Sequence, residues 1–119
     1  MTGPGRFADL FTAIDNADVD GFMGWLTDDC GFVYGSGEPV RGAAAVRAAV
    51  EGFLASFAGV AHRVDSSWEA DDAAIAEGVV TYTGADGRST TLPFCDVFHF
   101  AADGRIREYR VYIDPTPLG

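Results

Sequence analysis

Basic residues are scarce in this chain: 8 lysines and arginines stand against 18 acidic side chains, a formal charge of −10 over 119 residues. A surface of that sign repels phosphate backbones and anionic lipid, so neither a nucleic acid nor a membrane surface is an expected partner. Long hydrophobic runs are missing as well. The apolar stretches are short and broken by charge, which leaves no segment of the roughly 20 apolar residues that a membrane-spanning helix needs. The opening MTGPGRFADLFTAIDN lacks the basic start and apolar run of a secretory signal, so a soluble cytoplasmic protein is expected. There are only 2 cysteines; Cys30 and Cys95 lie far apart in no C-x-x-C pattern and are expected to be free, buried thiols. No H-x-H, H-x-x-x-H or carboxylate cluster suggests a metal, and no Gly-rich loop joins a strand to a helix as a nucleotide cofactor would require. No Ser or Cys sits beside a base in a nucleophile motif. The expectation is therefore no metal and no cofactor. Repeats, low-complexity tracts and linkers are absent too, and the length suits one domain over residues 1–119.

What is present is material for a core, since 48 % of the chain is apolar and 13 % is aromatic. In RFADLFTAIDNAD, Phe7, Leu10, Phe11 and Ile14 recur at i, i+3, i+4 and i+7, one face of an amphipathic helix. Asp18 can cap a second helix, VDGFMGWLTDD, with Phe22, Trp25 and Leu26 on its buried side. A third begins near Gly42 in RGAAAVRAAVEGFLASFAG, where Val46, Val50, Phe53 and Phe57 form a stripe and Gly59 follows as a stop. GFVYGSGEPV reads as two short strands around a Gly-rich turn. VAHRVDSSWEA alternates, with Val60, His62, Val64, Ser66 and Trp68 on one face. IAEGVVTYT, STTLPFCDVFHF and IREYRVYID follow as long strands, and the links GADGR and AADGR carry Asp-Gly hairpin chemistry. Helices gathered in the first half and an antiparallel meander in the second indicate an α+β layer fold.

The succession of a helix, NADVDGFMGWLTDDCGFVY, G-x-P-VRG, a further helix, and strands ending in DVFHF-x-x-DGRIREYRVYID resembles the SnoaL-like branch of the nuclear transport factor 2-like superfamily. The resemblance runs from about Phe7 to about Asp114. It implies a cone-shaped, cystatin-like α+β barrel, in which a strongly curved, mostly antiparallel sheet wraps a long helix around a deep apolar pocket. It also implies homodimers formed through the outer sheet face. Relatives include ketosteroid isomerase, polyketide cyclases, scytalone dehydratase and limonene-epoxide hydrolase, while other members only bind or assemble. Fold alone does not decide among these.

Compared with ketosteroid isomerase, Asp96 falls on the acid of the oxyanion hole. The general base would fall at Tyr34 and the oxyanion tyrosine near Leu10, so two of that enzyme's three groups are absent and steroid isomerisation by its mechanism is not expected. The epoxide-hydrolase aspartate on the last strand would fall at Val111, and TYTGADGRST has no Arg-x-Asp motif. Scytalone dehydratase offers partial matches at His62 and Tyr34.

Asp96 is the sharpest candidate on its residues alone. Alternation along the strand puts Phe94, Phe98 and Phe100 on its face, and a carboxyl among phenyl groups has its pKa raised by desolvation. It would then donate a hydrogen bond to a carbonyl or enolate oxygen, or share a proton with a neighbouring histidine. The plain alternative is an aspartate bonded to a backbone amide or an arginine. His62 is a natural proton shuttle, or a core histidine satisfied by one carbonyl. Tyr34 would orient a substrate oxygen or bond Asp96, or else be a core aromatic at the cone mouth. Phe94, Phe98, Tyr109, Val111, Trp25, Trp68 and Phe53 are expected as pocket walls. His99 alternates to the opposite face from Asp96, and Arg110 and Tyr112 fit a dimer interface better than a site. The functional expectation is acid/base chemistry (isomerisation, dehydration or aldol-type cyclisation) on an apolar carbonyl compound by Asp96, His62 and Tyr34. The alternative is a non-catalytic module that binds a hydrophobic ligand or dimerises.

Overall fold

A computed structural model describes residues 5–118; the first four residues of the N-terminal stretch and the last residue lie outside it. A 3-10 turn, Gly5–Phe7, leads into α1 (Ala8–Asp15), which buries Leu10, Phe11 and Ala13. α2 (Val19–Met23) follows, and Asp18 caps it by accepting a bond from the Gly21 amide at 3.0 Å. The expected helix over VDGFMGWLTDD therefore stops early. Strand β1 (Leu26–Tyr34) begins where the helix was expected to continue. Pairing explains the correction: the Trp25 carbonyl accepts from the Ile106 amide at 2.8 Å, and Leu26 stands opposite Ile106. Sheet hydrogen bonds with a distant strand override the local helical pattern.

β2 (Val40–Arg41) is a short edge partner of β1, and α3 (Ala43–Ala55) follows it. The buried stripe of α3 is Val46, Val50 and Leu54. Phe53, half-buried, turns sideways, and Phe57 lies beyond the helix end. Four long strands complete the chain: β3 (Gly59–Glu69), β4 (Ala73–Thr83), β5 (Ser89–Phe100) and β6 (Ile106–Tyr112). Asp-Gly turns join β4 to β5 and β5 to β6, with Gly87 and Gly104 at φ +83° and +86°. The six-stranded sheet has the order β2-β1-β6-β5-β4-β3, with β1 parallel to β6 and all other neighbours antiparallel. This is the expected α+β architecture of three helices on a mostly antiparallel sheet. No helix among the described residues is long and apolar enough to cross a membrane.

The sheet is strongly bent. Register places Tyr34 opposite Val111, Val111 opposite Asp96, and Asp96 opposite Ala76. In a flat sheet Tyr34 would thus face Ala76, roughly 20 Å along β4 from Tyr82 at the usual rise per residue. Instead the Tyr34 and Tyr82 hydroxyls meet at 3.0 Å. One source of curvature is a bulge in β3 between Val64 and Ser66, opposite Gly78 and Glu77. The bulge also resets the alternation. Ser67 turns inward at 1 % exposure, and Trp68 turns outward at 47 %. Trp68 is therefore not a pocket wall.

Gly78 makes room for the bulge, since a Cβ there would lie 1.9 Å from the Arg63 carbonyl oxygen. Gly78→Ala is expected to lower stability by about 3 kcal/mol, the upper end of overpacking costs. Gly52→Ala, on the exposed face of α3 with nothing within 4 Å, is expected to raise it by about 0.5–1 kcal/mol. Urea midpoints of the two variants check both signs, and a tolerated Gly78→Ala would show that the bulge does not need the glycine.

Candidate active site

The concave face of the sheet and α3 enclose a cavity of about 290 Å³, at the lower end of the usual range for small-molecule sites. Its wall is almost wholly apolar; apart from Glu38, each polar side chain in it belongs to one of three hydrogen-bonded pairs.

The first pair is Asp96 with Tyr109. Asp96 lies inward on β5 with 2 % exposure, and its Oδ2 accepts a hydrogen bond from the Tyr109 hydroxyl at 3.1 Å. Its Oδ1, also buried, has no partner among the described residues. Burial pushes the Asp96 pKa up to about 8, against the smaller downward pull of the Tyr109 bond. One neutral-donor bond is too weak to offset full desolvation of a carboxylate, so the carboxylic acid is the dominant form at pH 7. With Tyr109 donating to Oδ2, the acid proton belongs on Oδ1. Burial also pushes the Tyr109 hydroxyl well above its ordinary range, so it stays a donor. Phe98 lies behind this pair rather than in the cavity. It is fully buried, with its ring edge-on to Tyr109 at 4.8 Å and tilted against Phe7 at 4.8 Å.

The second pair is His62 with Asp15. His62 Nδ1 is 2.6 Å from Asp15 Oδ1, and the His62 backbone amide donates to Asp15 Oδ2 at 2.9 Å. A carboxylate on Nδ1 places the ring proton there and leaves Nε2 as the acceptor nitrogen. The ring is fixed by Phe11 at 5.1 Å and, edge-on, by Phe94 at 5.2 Å. Asp15 is the last residue of α1, so helix and sheet meet in this contact. Asp15 also lines a smaller, more polar hollow with Asn16, Phe57 and Gly59.

The third pair is Tyr34 with Tyr82, their hydroxyls 3.0 Å apart and their rings packed on Phe53 and Phe57. Desolvation raises the pKa of both, so both are neutral hydroxyls.

Asp96, His62, Tyr34, Phe53, Phe94, Tyr109 and Val111 all line the one cavity. Asp96, His62 and Tyr34 do not bond to one another. Each has a different partner: Asp96 is bonded to Tyr109 rather than to a histidine, and Phe94 stands between Asp96 and His62. Trp25 packs on Phe7 at 6.0 Å, outside the cavity wall, because the chain turns into β1 there instead of continuing the helix. His99 faces outward from β5, and Cys30 and Cys95 are free. Sequence reasoning missed Asp15 and Tyr82. Alternation from Val80 reaches Tyr82, but nothing local distinguishes Asp15 from any acid at a helix end. No group of three or more metal-ligating side chains occurs among the described residues.

The SnoaL-like domain family matches residues 7–109. No curated protein matches the sequence. Among solved structures, an NTF2-like protein of unknown function from Burkholderia pseudomallei is 21 % identical over 92 % of this chain and 88 % of its own, with a TM-score of 0.83. A protein of Xanthomonas campestris assigned as a polyketide cyclase is 21 % identical over 92 % of this chain and 88 % of its own, at 0.81. An LEH-like epoxide hydrolase of M. tuberculosis is 20 % identical over 91 % and 79 %, at 0.77. At these identities the likeness is one of fold.

The Asp96 proton has a consequence for stability. Between the pKa of an unfolded aspartate, about 4, and the raised native value, the folded state keeps a proton that the unfolded state has released. Stability therefore falls as pH rises through that window and levels off above about pH 8. Asp96→Asn removes this titration. Between pH 5 and pH 7 the wild type is expected to lose on the order of 2 kcal/mol more than the variant. Urea unfolding at the two pH values checks it, and parallel losses would mean that Asp96 is ionised in the native state.

Proposed function

The chain belongs to the SnoaL-like domain family, and from that premise we propose that it is an acid/base catalyst acting on an apolar carbonyl compound held in the cavity. The observation that carries the reading is the Asp96 carboxyl: fully buried at the cavity wall, one oxygen held by Tyr109 and the other without a partner. A ligand carbonyl oxygen completes that arrangement by accepting from Asp96 Oδ1–H. Polarised in this way, the carbonyl acidifies the hydrogens on the carbon beside it. His62 Nε2 takes one such proton, the C–H electron pair moves into the enol system, and the charge arriving at oxygen is stabilised by the Asp96 donor. The imidazolium is held by the Asp15 carboxylate on Nδ1.

Three outcomes balance from this intermediate. The proton returns to another carbon in isomerisation. A β-hydroxyl leaves as water, taking up the His62 proton, in dehydration. The nucleophilic carbon closes onto a second carbonyl, whose oxygen takes a proton, in aldol-type cyclisation. Tyr34 serves this chemistry by binding, through its hydroxyl pair with Tyr82.

2-Tetralone, an apolar bicyclic ketone, tests the common step without knowledge of the natural substrate. In D2O the wild type is expected to speed hydrogen–deuterium exchange beside the carbonyl, followed by NMR. His62→Gln is expected to slow that exchange by about 10²–10⁴-fold, and Asp96→Leu by about 10²–10³-fold. A ketone that fails to bind, or binds without exchanging faster than in buffer, would overturn the catalytic reading; binding alone would leave a ligand-binding module.

The outer sheet face belongs to the same reading, as the surface through which two copies pair. Trp68, Ile75, Val97 and Arg110 stand side by side on successive strands, and Trp68, Ile75 and Tyr112 are exposed apolar groups on this otherwise acidic molecule. Sedimentation is expected to give a dimer for the wild type and a monomer for Trp68→Glu/Tyr112→Glu; a monomeric wild type would refute the pairing.

A further inference from the structure

Resting on the reading that the cavity holds an apolar carbonyl compound, we propose a narrower ligand class: an uncharged molecule bearing two oxygen functions at opposite ends, one met by Asp96 and the other by the Tyr34–Tyr82 hydroxyl pair.

Charge is the first argument. A carboxylate, phosphate or thioester-linked nucleotide buried in an apolar cavity requires a cation or several fixed donors. This chain has no lysine at all, and none of its 8 arginines lines the cavity. Among the described residues, Arg41, Arg47, Arg63 and Arg105 are engaged with surface carboxylates. The wall instead includes Glu38, an exposed residue, and the molecule as a whole is at −10. An anionic ligand is disfavoured on the way in, and the one basic side chain in the lining, His62, is already bonded to Asp15 through Nδ1. A cationic ligand is drawn by the negative charge but finds no carboxylate at Asp96, whose burial keeps it protonated at pH 7.

Spacing is the second argument. Tyr34 and Asp96 occupy the same cross-strand row, with Val111 between them. Two strand spacings put their Cα atoms roughly 10 Å apart, with the intervening wall apolar. When two hydroxyls share one hydrogen bond, one of them still has a free O–H, and both have lone pairs. The Tyr34–Tyr82 pair therefore offers a donor to a ligand hydroxyl, ether or carbonyl, and an acceptor to a ligand hydroxyl. Tyr82 is 4 % exposed, so its hydroxyl is not placed to serve bulk solvent. A ligand with oxygen at one end only would leave one polar pair facing apolar atoms, at the cost of an unsatisfied group.

Three probes on one bicyclic skeleton separate the possibilities: 2-tetralone, 6-hydroxy-2-tetralone and its 6-carboxylate counterpart, titrated by calorimetry at pH 7. The hydroxy ketone is expected to bind about tenfold tighter than 2-tetralone, and the carboxylate at least about tenfold weaker. In Tyr34→Phe/Tyr82→Phe the hydroxyl advantage is expected to vanish, whereas in Asp96→Leu it persists on a lower overall affinity. Equal binding of the two neutral ketones by the wild type, or tight binding of the carboxylate, would overturn the proposal even if the double variant fails to fold. Exchange of 2-tetralone without a hydroxyl advantage would sink this inference alone. A tyrosine-dependent advantage without any exchange would sink the catalytic reading and leave this one standing.

Discussion

The bend of the sheet is the constraint on which everything else depends. A flat six-stranded sheet with α3 laid across it would bury an ordinary two-layer core and leave no cavity. Here the inward positions of β4 are small at one end, Ala74, Ala76 and Gly78, and larger at the other, Val80 and Tyr82. The taper lets the sheet close more tightly on one side. The β3 bulge adds local twist opposite Gly78, where only a glycine leaves room for the Arg63 carbonyl. The result brings a tyrosine of β1 to a tyrosine of β4 over the heads of two intervening strands. That contact is a consequence of curvature and also a cross-tie that resists its loss.

Curvature then sets the electrostatics. Inward groups are withdrawn from water to different depths, and their protonation follows depth as much as residue type. Asp96 is buried with no cation bonded to it among the described residues, so the acid keeps its proton. Asp15 has 25 % of its side chain exposed and bonds both the amide and the ring of His62, which suits a carboxylate. The same functional group thus stands in two different environments, one fully buried and one partly exposed. Pairs of acids separated in this way by environment mark division of labour in acid/base sites. The hydrogen bonds do not create the difference. A Tyr109 bond of order 1 kcal/mol lowers the Asp96 pKa only slightly against desolvation worth several.

Much of this was legible in the sequence, and the failures have local causes. Strand β5 was readable residue by residue, because strict alternation in LPFCDVFHF fixes which side each group takes. The family resemblance supplied what alternation cannot, namely that the Asp96 side is the inside of a cone. Trp68 was misplaced because a bulge is invisible to a period-two pattern; Gly78, the residue that permits it, lies on another strand. Trp25 was misplaced because the helix pattern of VDGFMGWLTDD yields at Leu26 to pairing with β6, a non-local effect. Asp15 could not be found at all. Its role exists only because the end of α1 is brought against the backbone of β3, 47 residues further along the chain. Tyr109 was legible as an inward residue, but its bond to Asp96 depends on a diagonal approach from the neighbouring strand.

In the proposed mechanism the replacements at the isomerase positions do not amount to a loss of chemistry. A tyrosine that donates to the buried acid comes here from β6 instead of α1, where Leu10 stands. In that mechanism the base comes from β3 as His62, bonded to Asp15, instead of from the end of β1, where Tyr34 stands. Donor, acid and base all lie on the same cavity wall, supplied from different strands. Because a curved sheet points the inward residues of every strand at one space, such a redistribution costs the fold nothing: each inward position is already aimed at the ligand. The same geometry fits a fold that is kept at about 20 % identity. Exchanging one inward side chain changes the chemistry, while the backbone that aims it is preserved by bulge, taper and cross-tie.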